Sequence, residues 1–245
     1  IELAKIDDLN SSDAIVIWAE DLKEKLPVLY LRIRQAVKNG VKLVVFGHTN
    51  ETLSDIADVF YGKDMVSENF EILKDLSKMK EINNLVVGKN ITAILGKSTP
   101  YQSDESVTKL FEFLNSNANS KVLNAYSKGN TYGAFQTLEN LKGLNDFVND
   151  ISKDNTDLLF IVGADPIGRS VYSNQIKSII KSIDTVVTLD NFNHETSELS
   201  DYVVPISSTL GEKEGTFTNI EFRTSRIDKL VPSPGQTLSD WEFIT

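Results

Sequence analysis

The stretch LLFIVGADPIGRSVY, residues 158–172, followed by TVVTLDNFNHETSELSDYVVPISS, residues 185–208, decides the fold. Leu158–Val162 is an apolar run halted at Gly163 and Pro166, and a helical pattern begins near Ser170, with Ile176, Ile179, Ile180 and Ile183 on one face. Thr185–Leu189 is a second apolar run, ending on Asp190. Short apolar runs bounded by turn residues predict buried strands, and two joined through a helix make a right-handed βαβ unit of a parallel sheet. Gly163 and Asp190 then fall at the carboxyl ends of their strands, the edge where α/β sheets bind ligands.

The same alternation runs upstream. Asp13–Trp18 predicts a strand, and a helix follows with Pro27 in its first turn and Leu26, Leu29, Tyr30, Ile33 and Val37 on its apolar face, closed by Gly40. Val41–Phe46 predicts the next strand, with Gly47 turning the chain away from its end, and HTNETLSD leads to a helix faced by Ile72, Leu73, Leu76 and Met79. Leu85–Val87 is expected to extend a strand or loop toward a boundary. Ile91–Leu95 predicts a strand, then a helix capped by Ser103 with Val107, Leu110, Phe111 and Leu114 on one face. Lys121–Asn124 is strand-like, Gly129 and Gly133 bracket a turn, and Leu144, Phe147, Val148 and Ile151 form another helical face. After Pro205 the pattern becomes a long ordered loop with a short strand pair, then VPSPGQT and a helix at Asp240–Thr245. The expected architecture is α/β: two Rossmann-like lobes with mainly parallel sheets, residues 1–88 and 89–245, divided at the turn-rich break near Lys89.

Composition excludes several functions. With 25 Lys and Arg against 35 Asp and Glu, the net charge is −10. No basic stripe is available to neutralise nucleic-acid phosphates, and attachment to anionic lipid is disfavoured. No run approaches the ~20 apolar residues of a membrane span. Sequons at Asn10, Asn50 and Asn90 are read as coincidence. The cysteine count is zero and there are two histidines, His48 and His194, so the chain lacks the thiolates that hold iron–sulfur clusters.

The series GADP, LDNFNHET, DYVVPISS, EKEGTFTN and DWEFI resembles the molybdopterin oxidoreductase family, in that order. PVLYLRIRQAVKNGVKLVVFG and NAYSKGNTYGAFQTLEN agree with its upstream elements, so the resemblance spans nearly the whole chain. Within the family the likeness points to the carboxy-terminal molybdopterin-like domain of the large iron–sulfur subunit of NADH–quinone oxidoreductase, respiratory complex I. That resemblance implies a non-catalytic scaffold, a piece of a longer polypeptide. The parent would carry 4Fe-4S and 2Fe-2S clusters in a preceding part and pass electrons from NADH to quinone. Its partners would be that cluster-bearing part and other peripheral-arm subunits, on the cytoplasmic side of the bacterial inner membrane, with no nucleic acid and no membrane insertion. The alternative is a fragment of a molybdenum oxidoreductase such as a formate dehydrogenase, whose crevice binds a molybdopterin guanine dinucleotide cofactor.

Candidate cofactor-binding residues are Gly163, Asp165 and Asp190. A glycine at a strand end allows close approach to a pyrophosphate, and Asp190, 27 residues beyond Gly163, stands near the ~20-residue spacing of a ribose-binding carboxylate. In molybdenum members of the family, corresponding positions contact the guanine dinucleotide arm. Equally, Asp165 could cap the helix after the turn and Asp190 the next segment, GADPIG lacks the full G-x-G-x-x-G spacing, and the complex I resemblance implies a vestigial crevice. No catalytic residue and no metal site are assigned. Glu212, Glu214, Thr216, Thr218, Asn219 and Arg223 form either a cofactor-facing loop or one pinned by side-chain-to-backbone hydrogen bonds, and the pinned loop is favoured. Phe222 stands where family members commonly carry Gly, and Trp18 where they carry small residues; both bulky groups narrow an approach to ligand. His194 and Glu195, without H-E-x-x-H spacing, are read as a solvated helix start.

Overall fold

The computed structural model describes residues 2–18, 22–48, 52–63, 76–96, 104–115, 119–126, 128–138, 156–209 and 211–245. The chain divides into two compact units, residues 1–132 with 218–223, and residues 133–217 with 224–245.

In the first unit, strands β1 (Glu2–Leu3), β2 (Ala14–Trp18), β3 (Lys42–His48), β4 (Val59–Lys63), β5 (Ile91–Gly96) and β6 (Ser120–Ala125) form one sheet in the order β1-β6-β5-β2-β3-β4. Every pairing in it is parallel. All five side chains of β2 are buried, the mark of a central strand covered on both faces. Period-two alternation sorts them. Ala14, Val16 and Trp18 pack with Val44, Phe46, Ala93 and Leu95, whereas Ile15 and Ile17 pack with Leu43, Val45, Ile94 and Leu123. The Trp18 ring stacks on Phe46, centroids 4.6 Å apart.

Helices α1 (Asp8–Ser11), α2 (Leu22–Lys25), α3 (Pro27–Lys38), α4 (Leu76–Val86) and α5 (Asp104–Asn115) lie between these strands, and α6 (Thr131–Thr137) follows β6. Pro27 opens α3, where a missing N–H leaves no carbonyl unpaired. That helix buries Leu29, Tyr30, Ile33 and Ala36 and ends where Gly40 adopts φ +102°. Residues Thr218–Arg223 belong to this unit as well. Ile6 donates its N–H to Glu221 Oε1 at 2.7 Å and Thr218 N–H goes to Asn130 Oδ1 at 2.9 Å. Asn219 Oδ1 accepts from the N–H groups of Glu221 and Arg223, each at 2.9 Å. These bonds pin the Thr218–Arg223 part of the block.

The second unit holds β7 (Leu158–Val162), α7 (Ser173–Ile180), β8 (Thr185–Asp190) and β9 (Tyr202–Pro205), its three strands parallel in the order β7-β8-β9. Helix α7 covers one face through Ile176 and Ile180 against Ile161 and Val186. A ribbon of β10 (Gly215–Thr218) and β11 (Thr224–Ile227) follows, then α8 (Asp240–Ile244), opened by a capping box between Ser239 and Glu242.

Several expectations need correction. The expected division at 88/89 falls inside the first sheet, since β5 pairs with β2 in full register. A strand flanked on both sides shares its core with its neighbours, so the turn near Lys89 connects elements of one unit. The VFYGK run, unread in the sequence, is edge strand β4 on β3. Gly47 continues β3, paired with Gly62. Leu85 and Val86 end α4, with Ile82 and Val86 buried. Gly133 lies inside α6. Ile72, Leu73, Ser103 and the face at Leu144–Ile151 lie outside the described residues, as do the side chains of Leu76, Met79, Val107 and Leu110.

Phe222 has φ +59°, a conformation that glycine adopts freely and other residues at a cost of about 1–2 kcal/mol. Its ring lies 3.8 Å from that of Tyr132, centroid to centroid, which offsets the strain. Phe222→Ala keeps the strain and loses the contact, whereas Phe222→Gly loses both. The glycine variant should therefore be the more stable by about 1 kcal/mol in urea denaturation, reversing the usual order of Ala over Gly; equal stabilities would show the backbone there to be unstrained.

Candidate functional site

Parallel pairing of β7 and β8 sets Val162 beside Leu189, and Gly163 N–H extends the ladder to Leu189 O at 2.8 Å. The carboxyl ends of both strands thus lie together, with Gly163 and Asp190 at one edge. Gly163 takes φ +60° with open space where a Cβ would stand, so the turn presents bare backbone to the crevice. No reversal of strand order occurs in this sheet among the described residues; the reversal lies between β2 and β5 of the first unit.

Asp165, two residues beyond Gly163, has Oδ1 within 2.6 Å of the Thr196 hydroxyl and 3.0 Å of Gly168 N–H, both donors to it. Thr196 is fully buried and its hydroxyl oxygen also accepts from Ile167 N–H at 3.2 Å. Burial pushes the Asp165 carboxyl up, yet the hydrogen bonds from Thr196 and Gly168 and the neighbouring His194 outweigh it and hold it below the ordinary value. Asp190 ends β8: its Oδ1 accepts the N–H groups of Asn191 at 2.7 Å and Phe192 at 3.1 Å, closing an Asx turn. Asp190 thus caps the segment that follows it, whereas Asp165 braces the turn at Gly168 and not the helix, which begins at Ser173 without a side-chain cap.

Sequence reasoning missed His194. Its side chain is 14% exposed, against 9% for Asp190 and 17% for Asp165. Nε2 lies 3.2 Å from Asp190 Oδ2 and Nδ1 lies 3.5 Å from Asp165 Oδ1. The expected solvated helix start is thus a ring wedged between two carboxylates. The i,i+4 spacing from Asp190 was the only signal, and it becomes informative once a turn folds the loop back on the strand end. Glu195 alone behaves as expected, reaching solvent-exposed Lys177 at 3.0 Å. Among the described residues no group of three His, Asp or Glu is arranged to hold a metal ion, and no helix is long and apolar enough to cross a membrane. The His48 side chain lies outside the described residues.

Elsewhere in the second unit, Glu212 Oε2 accepts Ser208 N–H at 2.7 Å and Lys213 pairs with Asp240 at 2.8 Å. Glu214 meets Arg226 at 3.4 Å. These contacts tie the segment after β9 to itself.

Residues 3–245 match the molybdopterin oxidoreductase family, and the chain belongs to it. It is 37% identical over 121 residues to the F420-dependent formate dehydrogenase 2 subunit alpha of Methanococcus maripaludis, covering 45% of this chain and 18% of that protein. It is 35% identical over 86 residues to the assimilatory nitrate reductase catalytic subunit of Bacillus subtilis, covering 35% of this chain and 12% of that protein. The chain thus spans less than a fifth of the length of these relatives. Acetylene hydratase from Pelobacter acetylenicus shares the fold, with a TM-score of 0.61 at 12% identity over 99% of this chain and 47% of that one. The expected placement in NADH–quinone oxidoreductase is overturned by these relatives, which are formate dehydrogenase and nitrate reductase subunits. The blocks that suggested it point to the family and not to the member. The vestigial character of the crevice rested in part on that placement and loses that part of its ground; the scarcity of basic residues beside Gly163, with Arg169 near and Lys177 next, is independent of it.

Two tests follow from the turn. A Cβ on Gly168 would collide with Asp165 Oδ2. Gly168→Ala should destabilise by about 1–2 kcal/mol, and combining it with Asp165→Ala should cost clearly less than the sum of the two; additivity would show that the contact is absent. Because the folded Asp165 carboxyl titrates below the ordinary 3.8, the unfolded chain takes up the proton first. The stabilisation is whole above that value and is lost as pH falls through the folded one. Asp165→Asn should flatten the acid limb of stability below about pH 4, leaving the contributions of Asp8, Asp58 and Asp240, which are lowered too.

Proposed function

We propose that this member of the molybdopterin oxidoreductase family is the part of a molybdenum oxidoreductase, of the formate dehydrogenase or nitrate reductase kind, that grips the guanine dinucleotide arm of its cofactor. The observation that carries the reading is the shared edge of β7 and β8. Gly163 lies there at φ +60° with nothing within 4 Å of a Cβ position, beside a carboxylate on a rigid strand end. That donor set fits a dinucleotide: bare backbone for close approach of a pyrophosphate and an acceptor for a ribose diol. Gly163 and the turn after it would face the pyrophosphate, Asp190 the ribose, and Asp165 would brace the turn through Gly168 and Thr196.

When bound, the cofactor supplies the metal centre for two-electron chemistry on a small oxyanion such as formate or nitrate. The residues of this chain bind and orient one arm of it. With no cysteine in the sequence, iron–sulfur ligation by thiolates would fall to other parts of the protein.

The full-length protein, purified without oxygen, should release guanine nucleotide in step with its molybdenum content on acid denaturation. Asp190→Asn removes the charge from a diol acceptor and should lower retained nucleotide by about tenfold in competition with free nucleotide. Full-length protein that carries molybdenum but no guanine nucleotide would refute this role for the crevice.

A further inference from the structure

His194 touches both carboxylates of the crevice from behind its surface. Resting on the dinucleotide reading of this crevice, we infer that His194 is a positioning residue that aims Asp190 at the ribose diol and sets, through its own charge, how readily the crevice accepts an anionic diphosphate.

Asp190 Oδ1 is already engaged by two backbone N–H groups, which leaves Oδ2 as the atom for a ligand. A carboxylate oxygen offers about two lone-pair directions. His194 Nε2, at 3.2 Å, takes one and fixes the rotation of the carboxylate, so the other direction is set for a diol. The ring is itself fixed. Ser197 N–H points at Nδ1 at 3.3 Å, the Ser197 hydroxyl donates to His194 O at 2.7 Å, and His194 N–H donates to the Ser197 oxygen at 2.9 Å. With Nδ1 accepting from Ser197, the neutral ring carries its proton on Nε2, facing Asp190.

Charge follows from the same contacts. Around a neutral ring the two carboxylates leave a local charge of about −2; around an imidazolium, about −1. A diphosphate is repelled less in the second state, so protonation of the ring favours its binding. The other charged groups near the ring are Glu195, tied to Lys177 of α7 at 3.0 Å, and Glu198 on the same turn, whose N–H donates to His194 O at 3.1 Å. Substituting the ring alone separates its effect from theirs.

The test is calorimetric titration of this chain with guanosine 5′-diphosphate at fixed ionic strength, from about pH 5 to pH 8. It compares the native sequence with His194→Gln, His194→Ala and Asp190→Asn. Proton uptake by the ligand is common to all four and cancels in the affinity ratios. The amide nitrogen of Gln can stand in for Nε2 without its charge. The native-to-Gln affinity ratio should therefore rise about three- to tenfold from pH 8 to pH 5 and stay near one at pH 8. His194→Ala should bind about tenfold more weakly even at pH 8, as Asp190 loses its partner. A ratio that does not change with pH, or an Ala variant that binds like the native chain at pH 8, overturns the inference. A readout free of ligand separates this from failure of the dinucleotide reading. The His194 ring nitrogen shifts, followed by NMR against pH, should move in Asp190→Asn. If they move but diphosphate binds nowhere in the range, the dinucleotide reading falls and takes the ligand half of this proposal with it. If they do not move, the contact with Asp190 is refuted whatever the nucleotide does.

Discussion

In-register parallel pairing of β7 with β8 is the constraint on which the crevice depends. Parallel neighbours start and stop on the same edges, so the residues that end one strand stand beside those that end the next. Gly163 and Asp190 are 27 residues apart in the chain, yet the ladder bond from Gly163 N–H to Leu189 O leaves them little freedom to separate. A side chain on α7 or a loop tip could not be placed so tightly, because neither is tied to a hydrogen-bonded ladder on both sides. The apolar residues that hold the pairing, Ile161, Val186, Val187 and Leu189, are buried. The polar edge is thereby fixed by a core that takes no part in its chemistry.

Much of this was legible because strands buried on two faces write themselves as continuous apolar runs. Ala14–Trp18, Ile91–Leu95 and Thr185–Leu189 were all readable for that reason, and each is a strand with neighbours on both sides. Edge strands differ: Leu158–Val162 was readable as an apolar run, yet it is an edge strand whose Leu158, Phe160 and Val162 are exposed and not buried as expected. Val59–Lys63 carries one buried residue, Val59, beside half-exposed Phe60 and Tyr61, and so lacks the signature of a central strand. The unit boundary was illegible for a related reason. A Gly-containing turn looks the same whether it links two domains or two neighbours in one sheet, and only the pairing of β5 with β2 distinguishes them.

The site was legible in part. Gly163, Asp165 and Asp190 could be named because they end strands, and strand ends are visible in sequence. His194 could not, because its role comes from a turn. The Asx turn at Asp190 and the bonds of Ser197 to the His194 backbone fold residues 190–197 back over the strand ends, and no periodicity encodes that return. Family blocks carry the same limitation at a higher level. GADP and GTFTN point to the family and are silent on which member this is. Phe222 shows the converse: an aromatic residue in a left-handed backbone preserves the shape of a glycine position while changing what lines it.

The arrangement around His194 also bears on how an acidic protein can host an anion. A net charge of −10 acts at long range, where salt screens it beyond ~10 Å, whereas the charges that matter to a bound diphosphate are those in contact with it. Each carboxylate at this edge is held by its own donors, Asp165 by Thr196 and Gly168, Asp190 by two backbone N–H groups and His194 Nε2. Donors directed at a carboxylate favour its ionised form. On the dinucleotide reading proposed above, a diphosphate at this edge would be met by backbone N–H groups and not by a basic cluster.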